Sequence, residues 1–509
     1  MNADERYLQT DSTSRARPFL NWLLASVLAL CIVRLWLMPI ASSFWVDEMG
    51  TVFVARYGAA HQSLRAAPQV PESIYYALPR ITERVAGSSE AGYRVWSILA
   101  MGAALLLIAR VTSSIIHPKC AWFVVFACLS LRGIDYQAAD ARPYALGTCV
   151  AAAGVLLIIR WFDSGRVRDG AAFAVAAALL WRVHLVFWPF YLVFLVYAMD
   201  RLACGRTPVA WRQAVMIFGV LGVALLPVAA RAVALNREAA AHVIAAPPTL
   251  GALSRSLKLG LIAGAYAGAW ILSGRRGRRA NIAADHPPGA RALIVSWWLC
   301  QPLCLFAFSW ITGNSIFIYR YLYLSLPGAA LVAASAAAAA AARASATQWK
   351  TASLGFGLGV LLLLGNWSQW RLMHHNSDWR GAAHAMQSLA LGPDVPVICP
   401  SPFVEARPPV WNPNYSLPGF LYSHLSAYPI PGRIFLFPFE TSPQAEQFAG
   451  KLAAETLAVH DRFFIYGDGI NVIFWREWFL KRRELAGWRA KSVGSFGDVG
   501  VVVFEKPFP

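Results

Sequence analysis

Between residues 18 and 367 the chain returns repeatedly to long apolar runs, and this repetition decides its class. A helix crosses the hydrocarbon core of a bilayer on about 20 apolar residues. Inside lipid every backbone polar group has to be paired within the chain, so the runs read as helices. Spans are expected near 18–40, 94–110, 120–131, 143–160, 170–181, 185–199, 213–230, 257–273, 292–311, 321–342 and 351–367. Charged residues make up 14 % of the 509 residues, against about 25 % in a soluble domain. The polar stretch 1–17, with Arg6, Arg15 and Arg17, leads into a first run with no small-residue cleavage site. That run is too long for a signal-peptide core and is expected to stay as the first helix.

Basic residues set the topology. The stretch 170–199 reads as one tilted helix or as two short ones broken at "WRVH". With the break, the cytoplasmic loops are the N-terminus, 111–119, 161–169, 200–212, 274–291 and 343–350, which hold "RWFDSGRVR", "DRLACGR" and "GRRGRR". Without it, "GRRGRR" would lie outside, against the positive-inside bias. The expectation is therefore about eleven spans, a cytoplasmic N-terminus and an extracytoplasmic C-terminal domain. The net charge of +18 is spent mainly in these short loops, which argues against nucleic-acid binding. Low-complexity "AAASAAAAAAARA" (332–344) reads as a helix end with close neighbours.

The expected domains are a cytoplasmic tail, 1–17, a transmembrane domain, 18–367, with a long first outer loop, 41–93, and a C-terminal domain, 368–509. The last reads as α/β: "GRIFLFPF" (432–439), "DRFFIYG" (461–467) and "VGVVVFEK" (499–506) as strands, "TSPQAEQFAGKLAAE" (441–455) as a helix. Of eight cysteines, Cys399 alone falls there, so no disulfide framework is available.

On this topology the outer loops carry an unusual set of polar residues. "SSFWVDEMG" places Asp47 and Glu48 at the end of the first span. Adjacent acids at a membrane boundary carry desolvation and mutual repulsion unless something uses them. Further along, "QVPESIYYALPRITERVAG" contains Tyr76 and puts Ile74, Ala77, Leu78, Ile81 and Val85 on one helical face, fit for the interface plane. "RGIDYQAADARPYAL" brings Asp135, Asp140, Arg142 and Tyr144; "WRVH" brings Arg182 and His184; "GNSIFIYRYLYLSLPG" brings Tyr319, Arg320, Tyr321 and Tyr323. Each has a plainer use: arginines snorkel to lipid phosphates, a histidine packs between helices, tyrosines form an interfacial belt. Together, a carboxylate and several arginines fit a phosphate-bearing substrate. Arginine's planar fork pairs with phosphate oxygens, and a carboxylate can act as general base towards an acceptor hydroxyl.

These residues resemble a known group. "SSFWVDEMGTVFVARYG" is similar to the first-loop acidic motif of GT-C glycosyltransferases of the protein O-mannosyltransferase and aminoarabinose (lipid A) transferase superfamily. "GSSEAGYRVWSILAMGAALLLIARV", "DARPYALG" and "YRYLYLSLPG" follow in the expected order, and "HNSDWRGAAHAMQSL" resembles the start of the extracytoplasmic domain of bacterial members. The resemblance implies a polyprenyl-phosphate-sugar donor, a hexosyl or pentosyl group transferred with inversion, and a lipid, glycan or protein acceptor. It maps the catalytic acid onto Asp47, with Glu48 beside it, and donor-phosphate binding onto Arg142 and Arg320; Asp140, Tyr144, Tyr76, His184 and Tyr319 are candidate substrate contacts. One departure stands out: where relatives carry an "hPPLYY"-like element, this chain has "QVPESIYYALPR", with Gln69 and Glu72 nearby and Arg80 or Arg84 as substitute basic groups.

No cofactor is expected. No Cys or His pair has zinc spacing, "MHHN" (His374, His375) is isolated, and a divalent metal gets no support from ligand spacing. No Gly-rich nucleotide loop is present, in keeping with a lipid-linked donor. Two other readings compete: a polyprenyl-diphosphate-dependent ligase or polymerase of the O-antigen type, and a lipid or glycolipid transporter. Arg34, inside the first span, fits the transporter better. Composition points to a bacterial inner membrane.

Overall fold

The computed structural model describes residues 3–66, 73–238, 246–273, 287–370, 372–389 and 391–506. Gln69 and Glu72 lie outside the described residues, as does "GRRGRR". The chain divides into two compact units, residues 1–39 with 95–372 and residues 40–94 with 373–509.

The first unit is helical. Every apolar run expected to span is helix, and among the described residues seven helices are long and apolar enough to cross a membrane. They include Pro18–Ala41, Glu90–Ile115, Tyr144–Ser164 and Ala290–Thr312. Two shorter apolar helices, Pro118–Leu129 and Leu259–Leu272, belong to the same set of runs. The protein is thus a multi-pass membrane protein, with seven rather than eleven spans meeting the length and composition of a crossing helix. The chain does break at "WRVH": the helix Val167–Val183 ends at His184, which is extended at φ −159° and caps the next turn by accepting the Val186 N–H. The following helix is Phe190–Ala203.

Arg34 has a structural use. It lies in a π-helical turn, Val33–Leu37, and is 4 % exposed. Its guanidinium donates to the carbonyls of Gly365 at 2.6 Å, Asn366 at 2.9 Å, Gln369 at 2.7 Å and Trp370 at 3.2 Å. These are the carbonyls beyond the helix Ala346–Leu364, which no helical N–H can satisfy. Asn366 is left-handed at φ +41°, the conformation that turns a chain off a helix end. The planar five-donor fork suits this task, and it removes the residue that favoured a transporter.

The second unit joins residues 40–94 to the C-terminal residues. Phe53 stacks edge-on against Phe420 at 5.9 Å, the Phe420 N–H donates to Ser63 Oγ at 3.0 Å, and the Phe44 N–H donates to Tyr428 Oη at 2.8 Å. Glu90 accepts from Arg380 at 3.0 Å and from Tyr428 at 2.9 Å. The turn Ile74–Tyr76 buries Tyr75 and Tyr76, and the amphipathic helix Ala77–Ala86 that follows turns Pro79 and Thr82 inward. Ile81 at 48 % and Val85 at 82 % exposure leave its apolar face outward, as an interface-lying helix requires.

The sheet of this unit has five strands, β1 (Pro396–Pro400), β2 (Arg433–Phe437), β3 (Arg462–Asp468), β4 (Arg489–Ser492) and β5 (Val499–Glu505), in the order β2-β1-β3-β5-β4. β1 runs parallel to β2 and β3, while β5 runs antiparallel to β3 and β4. The three predicted strands and the helix Pro443–Glu455 are present, the helix opened by Ser442, whose side chain accepts the Ala445 N–H. β1, wholly buried between β2 and β3, and the polar edge strand β4 carry no alternating pattern in the sequence.

His424 sits fully buried in this unit, between Trp379 at 5.0 Å and Tyr466 at 5.8 Å. Neither ring nitrogen has a hydrogen-bond partner among the described residues. Burial pushes the imidazole down to about 3. The folded form therefore keeps it neutral while the unfolded chain takes up a proton below about 6.5. The stability it carries is whole above that pH and falls by about 1.4 kcal/mol per pH unit below it. Between pH 6.5 and 5 this amounts to about 2 kcal/mol. Thermal unfolding of the purified protein at both pH values is expected to show that loss, and His424→Leu to flatten it.

Candidate active site

The predicted residues fall into two groups, one in each unit. In the second unit the acid pair lies in the first turn of the helix Val46–Tyr57. The two acids differ sharply. Glu48 is 0 % exposed and pairs with the equally buried Arg94. Arg94 Nε donates to Glu48 Oε1 at 2.7 Å and its Nη2 reaches Oε2, a bidentate geometry. The same guanidinium donates to the carbonyls of Ile40 at 2.9 Å, Ser42 at 2.6 Å and Ser43 at 3.1 Å. Glu48 also accepts the Trp45 N–H at 3.2 Å, the carboxylate half of a capping box that starts the helix. Arg94 thus fixes the turn 40–48, and with it the position of Asp47, which is only half-buried.

His375 stacks on Trp45 with ring centroids 4.2 Å apart. Burial pushes its imidazole down, and the neighbouring His374 adds to this against the opposing pull of Glu48 and Asp47. Tyr76 lies in this unit too, buried to 5 % exposure with its ring 5.7 Å from Tyr75. Sequence reasoning missed Arg94 and set His375 aside as half of an isolated pair. The signal for the first was an arginine at the head of an apolar run, which needs a partner once it is buried.

In the first unit the structure gathers Arg142, Tyr144, His184, Arg320 and Tyr321. Arg142 lies over the Tyr144 ring at 6.0 Å and Arg320 over the Tyr321 ring at 5.5 Å. Tyr144 is 5.4 Å from His184 and 6.4 Å from Tyr321, and His184 is 5.5 Å from Tyr321. Burial, then the charges of Arg142 and Arg320, push the His184 imidazole down. The two arginines thus both act on His184 and each lies over a tyrosine ring of the same group. The "DARPY" turn makes this possible. The Arg142 N–H donates to the Asp140 carbonyl at 2.8 Å, Ser97 Oγ donates to the same oxygen, and Pro143 caps the helix Tyr144–Ser164.

The remaining candidates have plainer surroundings. Asp140 is fully buried within the turn. Asp135, also buried, accepts the Trp36 indole N–H at 2.8 Å, which ties the second outer loop to the end of the first span. Tyr319 turns outward at 55 % exposure, and Arg182 is exposed.

A helical unit and a unit with a small α/β sheet recur together in solved structures. Among the solved structures the chain matches are two of ArnT from Cupriavidus metallidurans. The crystal structure bound to undecaprenyl phosphate aligns with TM-score 0.55 and 12 % identity over 96 % of this chain and 98 % of that one. The apo structure aligns with TM-score 0.56 and 14 % identity over the same shares, 96 % and 98 %. No protein-family model and no curated protein matches the chain. At this identity the likeness is one of fold, and the fold is the one the sequence resemblance implied.

Proposed function

We propose that the protein is a membrane glycosyltransferase that moves a sugar from a polyprenyl-phosphate donor to an acceptor hydroxyl on the extracytoplasmic face. The observation that carries this reading is the buried Glu48–Arg94 pair that fixes the turn carrying Asp47. Glu48 is held by Arg94 and caps its helix, and Asp47 lies half-buried in the same turn. The paired arginines of the first unit and the fold shared with an undecaprenyl-phosphate-binding transferase support it.

In this mechanism Asp47 takes the proton of the acceptor hydroxyl as its oxygen attacks the anomeric carbon. The bond from that carbon to the phosphate oxygen breaks, its electron pair leaves with the polyprenyl phosphate, and the configuration inverts. Arg142 and Arg320 hold the phosphate and offset the charge that builds on it. Neutral His184 caps its turn and orients the tyrosines without adding a third positive charge. The first loop and the C-terminal residues act as one body that sets Asp47 and meets the acceptor, and the membrane is a bacterial inner membrane.

The test is transfer in membranes containing the protein, supplied in turn with radiolabelled polyprenyl-monophosphate sugars and polyprenyl-diphosphate glycans. Label passing to acceptor from a monophosphate donor is the expected result, and the labelled product then identifies the acceptor. Transfer from diphosphate donors alone would transfer the assignment to a ligase or polymerase.

A further inference from the structure

Besides Arg94, a second group of side chains fixes the turn 40–48, and it comes from the C-terminal residues of the same unit. Two backbone groups of the turn are held. The Phe44 N–H donates to Tyr428 Oη at 2.8 Å, and the Ala41 carbonyl accepts from Arg380 Nη2 at 2.9 Å. One carboxylate orients both side chains: Glu90 Oε1 accepts from Tyr428 Oη at 2.9 Å and from Arg380 Nη1 at 3.0 Å. A phenol whose proton goes to Glu90 keeps its lone pairs for the amide, so the Phe44 N–H meets an acceptor in a set direction. Burial, and then the charge of Glu90, push the Tyr428 hydroxyl above its usual range, which keeps that proton in place.

Phe44 directly precedes Trp45, the N-cap of the helix Val46–Tyr57 that carries Asp47 in its first turn. The element that supplies Tyr428 also reaches the far end of this helix. Tyr428 closes the short helix Ser423–Ala427, its N–H donating to the His424 carbonyl at 2.9 Å. Arg56, in the last turn of Val46–Tyr57, donates to the Ser426 carbonyl at 2.6 Å. Between the two ends the approach is close, since a Cβ at Gly50 would stand 3.2 Å from the Phe420 ring. The three side chains around Glu90 Oε1 differ in weight. Arg380 is 51 % exposed, and an ion pair open to water contributes little. Tyr428 is half-buried, its ring centroid 6.2 Å from that of the buried Phe44. Removing its hydroxyl takes the acceptor from a part-buried backbone N–H.

We propose that Tyr428 is a positioning residue for the reaction: its hydroxyl, oriented by Glu90, holds the Phe44 amide and so fixes the first turn of the helix from which Asp47 works. The inference rests on Asp47 being the general base. It gives the C-terminal residues a part in the chemical step, exercised through the base and not through donor binding.

Transfer is measured with the full-length protein in membranes, from the radiolabelled polyprenyl-monophosphate sugar that the wild type uses, for Tyr428→Phe, Asp47→Asn and the two combined. Tyr428→Phe keeps the ring and loses the hydroxyl. Turnover is expected to fall about 10- to 100-fold, the scale of a misplacement of up to about 1 Å, at unchanged donor KM. Added to Asp47→Asn it is expected to lower transfer no further, because the group it positions is already inactive. Tyr466→Phe removes a buried tyrosine hydroxyl of the same unit that has no hydrogen-bond partner among the described residues, and is expected to leave transfer unchanged. Glu90→Gln loosens Tyr428 without removing it. It is expected to lower turnover in the same way and to a smaller extent, and it decides the matter if Tyr428→Phe does not fold. Full turnover in Tyr428→Phe, a loss that multiplies with that of Asp47→Asn, or an equal loss in Tyr466→Phe would overturn the proposal and leave Asp47 as the base. Full transfer by Asp47→Asn would overturn the proposal together with the reading beneath it.

Discussion

Asp47→Asn is expected to lower sugar transfer by about 10²–10⁴-fold, the range a positioned general base contributes, and to leave the thermal unfolding of the protein unchanged. The amide keeps the shape of the carboxylate and loses its ability to take a proton. The side chain is half-buried, and the amide fills the same space in the turn that the Glu48–Arg94 pair holds. Both halves of the expectation follow from that position. Apparent affinity for the polyprenyl-phosphate donor should also hold, because the phosphate is assigned to Arg142 and Arg320. Initial rates across donor concentrations separate the two parameters. A fall in turnover at constant donor KM supports the base; undiminished transfer would remove Asp47 from the chemistry and leave the acid pair without a catalytic member.

The membrane architecture was legible because it rests on length and apolarity, which a single sequence displays directly. Even the break at "WRVH" could be read, since the charge bias of the later loops depends on it. The sheet was legible where strands alternate or run long, as in "DRFFIYG" and "VGVVVFEK". It was not legible at β1, where "PVICP" is bracketed by prolines and buried along its whole length, nor at β4, where "RAKS" offers only an exposed polar edge. Among the described residues seven helices reach spanning length and composition, and other apolar runs form shorter helices, such as Pro118–Leu129 and Leu259–Leu272, which is why the runs were hard to bound.

The site shows a similar division. The residue types that carry charge were visible in their loops, but their division of labour was not, because it depends on contacts far apart in the chain. Arg94 lies 46 residues from Glu48, at the head of an apolar helix where an arginine ordinarily serves topology or lipid. His375 read as half of an isolated pair until the fold stacked it on Trp45. Arg34 read as a transporter's charge until its four carbonyl partners, all more than 300 positions away, were in place.

The second large effect is expected at Arg94, and it should differ in kind from that at Asp47. Arg94→Met is expected to destabilise the second unit by about 3–5 kcal/mol, the usual result of removing one partner from a buried ion pair. Glu48 would be left as a buried charge, and the carbonyls of Ile40, Ser42 and Ser43 would lose their donor. Arg94→Lys should recover little, because an ammonium offers three donors without the planar fork that reaches both Glu48 oxygens and the three carbonyls together. Glu48→Leu with Arg94→Met should be milder than the sum of the two single changes, since neither charge then remains to be compensated. Thermal unfolding of the four proteins gives the coupling directly. Activity alone would not distinguish the two acids, because losing the Arg94 network also displaces Asp47. Tm separates them: unchanged for Asp47→Asn and lowered for Glu48→Leu if Glu48 holds the turn and Asp47 does the chemistry. An unchanged Tm in Arg94→Met would mean that the turn 40–48 holds without the pair, and Glu48 would return as a candidate for the reaction itself.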